Sequence, residues 1–335
     1  MANQETQKVD EIISSRRAMM MLGGTALAGL ALTKVAKAQS TPAFTDNDIL
    51  NFALNLEYLE SNFYYLAAFG TTIDVGNAAS KAAGAASLPI TGSGTQGTVT
   101  VKSNAKVPFA QVAVGAYAVE TAIEEGKHVA FLQKVLGSAA VAQPAIDLQT
   151  SFNTLAAAAG IAATFDPFAS DATFLVGAYV FEDVGVSAYS GAAPLFTTST
   201  TGKTYLGAAA GILAVEAYHA GLIRTTINYI DPTSSSIGGY TQKISALRAK
   251  LSLLANSKAD NPDDIGLGTQ SVTIAGSASQ TATTIVDADA NAIAFARNTT
   301  QVLNIVTGGG AISGSATVSP AKGVFFPAGL NGTLK

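Results

Sequence analysis

The chain has 335 residues, 48% of them apolar and 13% charged, with a formal net charge of −4. This is enough apolar material for one large domain or two modest ones, and too few charges for a disordered chain. No cysteine is present, which removes disulfides, thiolate zinc sites, iron–sulfur ligation and cysteine nucleophiles together.

Compartment is written at the N-terminus. Ser15-Arg16-Arg17 precedes an apolar run from Ala18 to Leu32, followed by Ala36-Lys37-Ala38, an A-x-A pattern before Gln39. The run is too short to span a bilayer comfortably and has signal-peptide flanks, so residues 1–38 are expected to be a removed export signal. The Arg pair is like a twin-arginine signal, and Lys34 and Lys37 near the cleavage site point the same way. Met19 and Met20 depart from that pattern and leave an ordinary secretory signal as the alternative. Removal of the segment leaves 14 Lys/Arg against 20 Asp/Glu, a charge of −6. No basic patch is visible, so nucleic acid is not an expected partner. No later stretch reads as a transmembrane helix, and integral membrane insertion is not expected.

Thr45 with Asp48 makes a capping-box variant, and a helical pattern follows over 46–69. Residues 71–108 are rich in Gly, Ser and Thr; 97–102 and 106–109 read as strands of an inserted β-hairpin. A second helix is expected over 109–136, stopped by Gly137. After a connection with a short helix near 150–159, a third helix runs over 171–189, ended by Gly191 and Pro194. A fourth runs over 204–228 and stops before Asp231-Pro232. Four apolar helices, paired one-two and three-four across a longer crossover, make residues 44–230 an all-α four-helix bundle. Residues 231–335 are expected to pack on the bundle, with an amphipathic helix over 241–255, a strand over 271–275 and a helix over 287–306. The Asp260–Asp264 cluster lacks calcium-loop spacing and is expected to be solvated.

Glutamate carries the chemical signal. After residue 38 there are seven (Glu57, Glu60, Glu120, Glu124, Glu125, Glu182 and Glu216), all on the four expected bundle helices. A carboxylate in a core costs several kcal/mol unless it is paired or bound to a cation. The chain has two histidines, and each has a Glu three residues earlier: Glu125-Gly-Lys-His128 and Glu216-Ala-Tyr-His219. Residues three apart share a helix face, so both side chains can reach one ion. Glu57 and Glu182 each have a Tyr seven residues later, Tyr64 and Tyr189. The expected metal ligands are therefore Glu57, Glu125, His128, Glu182, Glu216 and His219, holding two Fe or Mn ions. Four carboxylates offset the charge of two divalent ions.

The segments Leu54–Tyr64, Glu125–Leu132, Tyr179–Tyr189 and Ala214–Gly221, with Asn291–Arg297 and Gly323–Gly329, resemble the ferritin-like domain family. That family includes desiccation-related proteins of plants and secreted stress-associated proteins of fungi and bacteria. The resemblance runs from about residue 44 to the end and implies a ferritin-like four-helix bundle with a dimetal site.

Alternatives remain beside each assignment. The Glu/His pairs would also serve as satisfied polar pairs in a core, and Glu60 shares a face with Glu57 and competes with it as ligand. Glu120 and Glu124 read as solvated or outer-shell groups. Asp183 is expected to point off the metal face, towards a cap or Arg224. Tyr64 and Tyr189 read as core aromatics that could orient a ligating carboxylate. The expected activity is an exported oxidoreductase acting on small oxygen species or Fe(II). The alternative is a non-catalytic stress or surface protein with a structural metal site. A monomer or small homo-oligomer is expected rather than a storage cage.

Overall fold

A computed structural model describes residues 44–85, 87–255, 263–273, 279–309 and 322–334. The expected export signal lies outside them, as does Asp260.

Helix α1 (Asp46–Phe69) opens on the expected Thr45/Asp48 capping box and closes on Gly70 in the left-handed conformation. The insert follows, with α2 (Ala78–Ala82) and strand β1 (Val99–Thr100). Helix α3 (Val112–Leu136) comes next, then β2 (Ile146–Asp147) and α4 (Thr150–Ala158). Helices α5 (Asp171–Ala192) and α6 (Thr200–Ile230) complete the bundle. The C-terminal part adds α7 (Ile237–Ala255), the antiparallel pair β3 (Gly268–Val272) and β4 (Gln280–Thr284), and α8 (Thr299–Thr307).

The bundle is two helix pairs, α1 against α3 and α5 against α6, and α3 and α6 touch little. Antiparallel pairing shows in the tie of Asn51, near the start of α1, to Ala139 and Val141 just beyond α3. Between the pairs, Phe63 packs with Phe152, Phe168, Phe174 and Phe181, an aromatic core at centroid distances of 5.2–5.8 Å.

Several expectations are corrected. The insert is not a hairpin: β1 pairs in parallel with β2, Val99 opposite Ile146. Gly97 permits that approach, because a Cβ there would lie 2.0 Å from the Ala145 nitrogen. Val107 instead donates its N–H to Ala67 at the end of α1, and Pro108 has no N–H to offer a ladder. Helix α3 begins three residues late, where the Asp171 carboxylate accepts the N–H groups of Ala110 and Gln111. Gly191 lies inside α5 rather than ending it. A Cβ there would stand 1.9 Å from the Arg297 carbonyl oxygen, so glycine lets the C-terminal part reach the bundle.

The expected helix over 287–306 is helical only from Thr299. Asp289 accepts the N–H groups of Asn291 and Ile293 in a local turn, Ala292 is left-handed, and Asn298 caps the helix that follows. Helix α7 starts four residues early because Asp231 accepts the N–H groups of Ser235, Ser236 and Gly238. By length and composition α6 is apolar enough to cross a bilayer, contrary to the sequence reading. In the bundle it carries Glu216, His219 and Arg224 as buried residues.

Asp264 is buried, not solvated. It pairs with Arg248 at 2.8 Å and Arg297 at 2.8 Å, while Asp183 takes Arg224 and Arg248, each at 2.9 Å. Arg297 also donates to Ser187. This buried network fastens α7 and the segments around Asp264 and Arg297 to α5 and α6.

Candidate metal centre

The four bundle helices each aim acidic residues at one volume. Helix α1 contributes Glu57, α3 Glu125 and His128, α5 Glu182, and α6 Glu216 and His219. All six are buried, and the four carboxylates are at most 1% exposed. They fall into two overlapping sets, Glu57, Glu125, His128 and Glu216, and Glu125, Glu182, Glu216 and His219, with ligand atoms in each within 4.8 Å of one another. Glu125 and Glu216 belong to both. His128 Nδ1 lies 3.2 Å from Glu57 Oε2 and 3.6 Å from both Glu125 Oε2 and Glu216 Oε1. His219 Nδ1 lies 3.0 Å from Glu125 Oε1 and 3.4 Å from Glu182 Oε2.

These groups do not satisfy one another. Glu57 Oε2, both oxygens of Glu125 and Glu216, Glu182 Oε2 and both histidine Nδ1 atoms are buried without a hydrogen-bond partner. A native interior seldom leaves one such atom unmet, and eight converging on one volume make a donor set that could hold a cation. Oxygen and imidazole donors together suit Fe, Mn or Zn.

Tyrosine takes up the two remaining terminal oxygens. Tyr64 donates to Glu182 Oε1 and Tyr189 to Glu57 Oε1, so each tyrosine serves the glutamate of the other helix. Seven residues along a helix is about 10 Å, too far for either hydroxyl to serve its own glutamate. The antiparallel crossing of α1 and α5 puts 64 opposite 182 and 57 opposite 189. Burial first, then the neighbouring carboxylates, hold both phenols well above their ordinary pKa, so they remain donors.

Four residues outside the six complete the surroundings. Glu124 Oε2 lies 2.8 Å from His219 Nε2, the outer-shell position weighed from sequence. Both line an open groove of about 600 Å³ between α3 and α6, with the exposed Glu120 at its wall. Glu60 is buried but joins neither metal set, and it borders two apolar cavities of about 50 and 30 Å³. Gly185 was missed by sequence reasoning; a Cβ there would be 2.4 Å from Glu216 Oε2, so its absence makes room for the shared carboxylate. The available signal was a glycine three residues after Glu182, where α1 has Glu60 three after Glu57.

The metal-free cluster is electrostatically frustrated. Burial pushes Glu57 up to about 7 against the pull of His128, and lifts Glu182 likewise against His219. Burial and then carboxylate repulsion hold Glu60 and Glu216 well above their ordinary range. Burial opposes charge on Glu125 and on both imidazoles, but attraction wins: the two imidazoles act on Glu125, Glu57 and then Glu125 on His128, and Glu182 with Glu125 on His219. Glu125 is held far below its ordinary value, His128 is pushed up to about 12, and His219 rises likewise.

Above an ordinary Glu value of 4.5 the unfolded chain releases protons that the folded Glu57 keeps up to about 7, so stability falls over that window. His128 adds stability that is complete below 6.5 and is lost as pH rises towards 12. Glu125 runs the other way, its contribution present above 4.5 and lost only as pH falls through its depressed value. The metal-free protein should therefore show a Tm that declines from about pH 5 to pH 8. Calorimetry across that range checks it; a Tm rising with pH would contradict this account of the cluster.

A ferritin-like domain family model matches residues 45–229. Over 292 residues the chain is 28% identical to the desiccation-related protein PCC13-62 of Craterostigma plantagineum, covering 84% of this chain and 82% of that protein. Over 301 residues it is 25% identical to the ferritin-like catalase Nec2 of Nesocodon mauritianus, covering 86% and 84% respectively. No solved structure matches it. With the four-helix bundle, the buried Glu/His cluster and a family model spanning more than half its length, the chain belongs to the ferritin-like domain family.

Proposed function

We propose that the protein is an exported oxidoreductase whose cluster holds two Fe or Mn ions and acts on peroxide or a related small oxygen species. The observation that carries this reading is the set of eight orphaned donor atoms, arranged so that Glu125 and Glu216 are common to two ligand groups. Glu57 and His128 would be the terminal ligands of one ion and Glu182 and His219 those of the other. Bound Fe or Mn would supply the redox change.

The protein's own residues set the conditions for that chemistry. Tyr64 and Tyr189 fix the outer oxygens of Glu182 and Glu57, which leaves the Oε2 atoms facing inward. The groove above His219 gives a small polar molecule a route to the cluster edge. Peroxide is favoured as substrate by the similarity to a protein named a catalase, together with this polar entrance. Export rests on the sequence of residues 1–38, and the working location is then the periplasm or the exterior. A monomer or small homo-oligomer remains the proposed state.

The test is elemental analysis of protein from its native compartment, paired with oxygen evolution on adding peroxide. Two equivalents of Fe or Mn per chain and sustained oxygen release are expected. No stoichiometric Fe or Mn would sink the reading. The similarity to a desiccation-related protein favours a second one, in which the metal only stabilises the fold. Metal-dependent thermal stabilisation without turnover of peroxide or Fe(II) would select it.

A further inference from the structure

The helix pairs repeat with an offset of 125 residues between α1 and α5 and 91 between α3 and α6, as Glu57/Glu182 and His128/His219 require. The offsets carry neighbours with them. Tyr58 contacts Gln133 in the first pair, and their counterparts Asp183 and Arg224 contact each other in the second. Departures from this pseudo-symmetry are therefore informative. One falls beside a ligand: the counterpart of Glu124 is Val215.

The geometry makes that difference matter. Both histidines turn Nδ1 towards the carboxylate cluster. The outer nitrogen of His219 meets Glu124 Oε2 at 2.8 Å. Among the described residues no protein atom hydrogen-bonds the outer nitrogen of His128, and Val215 has no group that could. A carboxylate on the outer nitrogen holds the proton there, leaves the Nδ1 lone pair free for a metal, fixes the ring plane and raises ligand basicity.

We infer that the two halves of the centre are unequal: Glu124 is a positioning residue that makes the Glu182/His219 half the tighter site, and that half fills first. The Glu57/His128 half, lacking such support, binds the more exchangeable ion. This rests on the dimetal reading above. It adds an order of assembly and names the residue that sets it.

Mn(II) titration of the metal-free full chain tests the inference, with free Mn(II) followed by electron paramagnetic resonance and affinities fixed by chelator competition. The wild type should bind two ions with separable constants. Glu124→Ala should weaken the tighter constant by about 10- to 100-fold and leave the weaker one nearly unchanged. Glu124→Gln, which keeps an acceptor but no charge, should fall between. Val215→Glu, which offers His128 the same support, should tighten the weaker site and bring the constants together. Glu124 is partly exposed, its side chain 37% accessible, so the two Glu124 substitutions should leave the metal-free Tm nearly unmoved. Two ions whose constants both ignore Glu124→Ala and Glu124→Gln, or shift equally, would overturn the inequality. A wild type that takes up no ion would instead overturn the dimetal reading itself.

Discussion

Glu216→Gln is expected to raise the thermal stability of the metal-free protein and to abolish its stabilisation by Fe or Mn. Both carboxylate oxygens of Glu216 are buried without partners, and its side chain is 0% exposed. Burial and then the charges of Glu125, Glu60, Glu57 and Glu182 oppose its ionisation. Gln keeps the shape, carries no charge, and offers N–H groups to the carboxylates around it. Relief of an unmet buried group is worth on the order of 1–3 kcal/mol, which should raise the Tm by several degrees. The opposite effect arises because Glu216 belongs to both ligand sets. A ligand bound only by the native state at a thousand times its Kd adds about 4 kcal/mol, and that increment should vanish in the variant. Paired melts with and without metal test both halves. A variant destabilised without metal, or still stabilised by it, would remove Glu216 from the role assigned to it.

Arg248→Ala should be the most damaging substitution outside the centre, costing roughly 3–5 kcal/mol. Arg248 lies 2.9 Å from Asp183 and 2.8 Å from Asp264, and it donates to the Tyr179 carbonyl oxygen. Its guanidinium also sits 4.8 Å from the centroid of the Tyr179 ring. Truncation removes the countercharge shared by two buried carboxylates, leaving Asp183 with Arg224 and Asp264 with Arg297, and a buried network left one positive charge short costs more than the ion pair contributes. Arg248→Ala combined with Asp264→Asn should recover part of the loss, since it removes the excess negative charge that the first substitution leaves in the network. Urea denaturation of the single and double variants measures this. A loss below about 1 kcal/mol in the single variant would mean that the network is solvated.

The bundle and the cluster were legible for local reasons. Thr45 with Asp48 marks a helix start regardless of tertiary context. Glu and His at a spacing of three share a helix face wherever the helix packs. What sequence hid was set by partners distant along the chain. Asp264 reads as one of several acids in a polar loop until Arg248 and Arg297 are brought beside it. Gly185 and Gly191 look like weak points or helix ends, whereas their lack of a side chain admits Glu216 and the Arg297 backbone. The 97–109 region has hairpin composition, but the parallel partner of Val99 lies 47 residues ahead at Ile146. Tyr64 and Tyr189 were legible as members of the site, and only the helix register shows which glutamate each serves.

The exchange of tyrosine partners has a consequence for how the protein can be assembled. Tyr64 in the first helix pair holds Glu182 of the second, and Tyr189 in the second holds Glu57 of the first. Each ligand group likewise draws carboxylates from both pairs. Neither hairpin alone can position a complete donor set, so the halves are interlocked. Filling either complete ligand group would then report on the integrity of the whole bundle rather than of one half, since a single hairpin offers only a Glu-x-x-His pair and one further Glu.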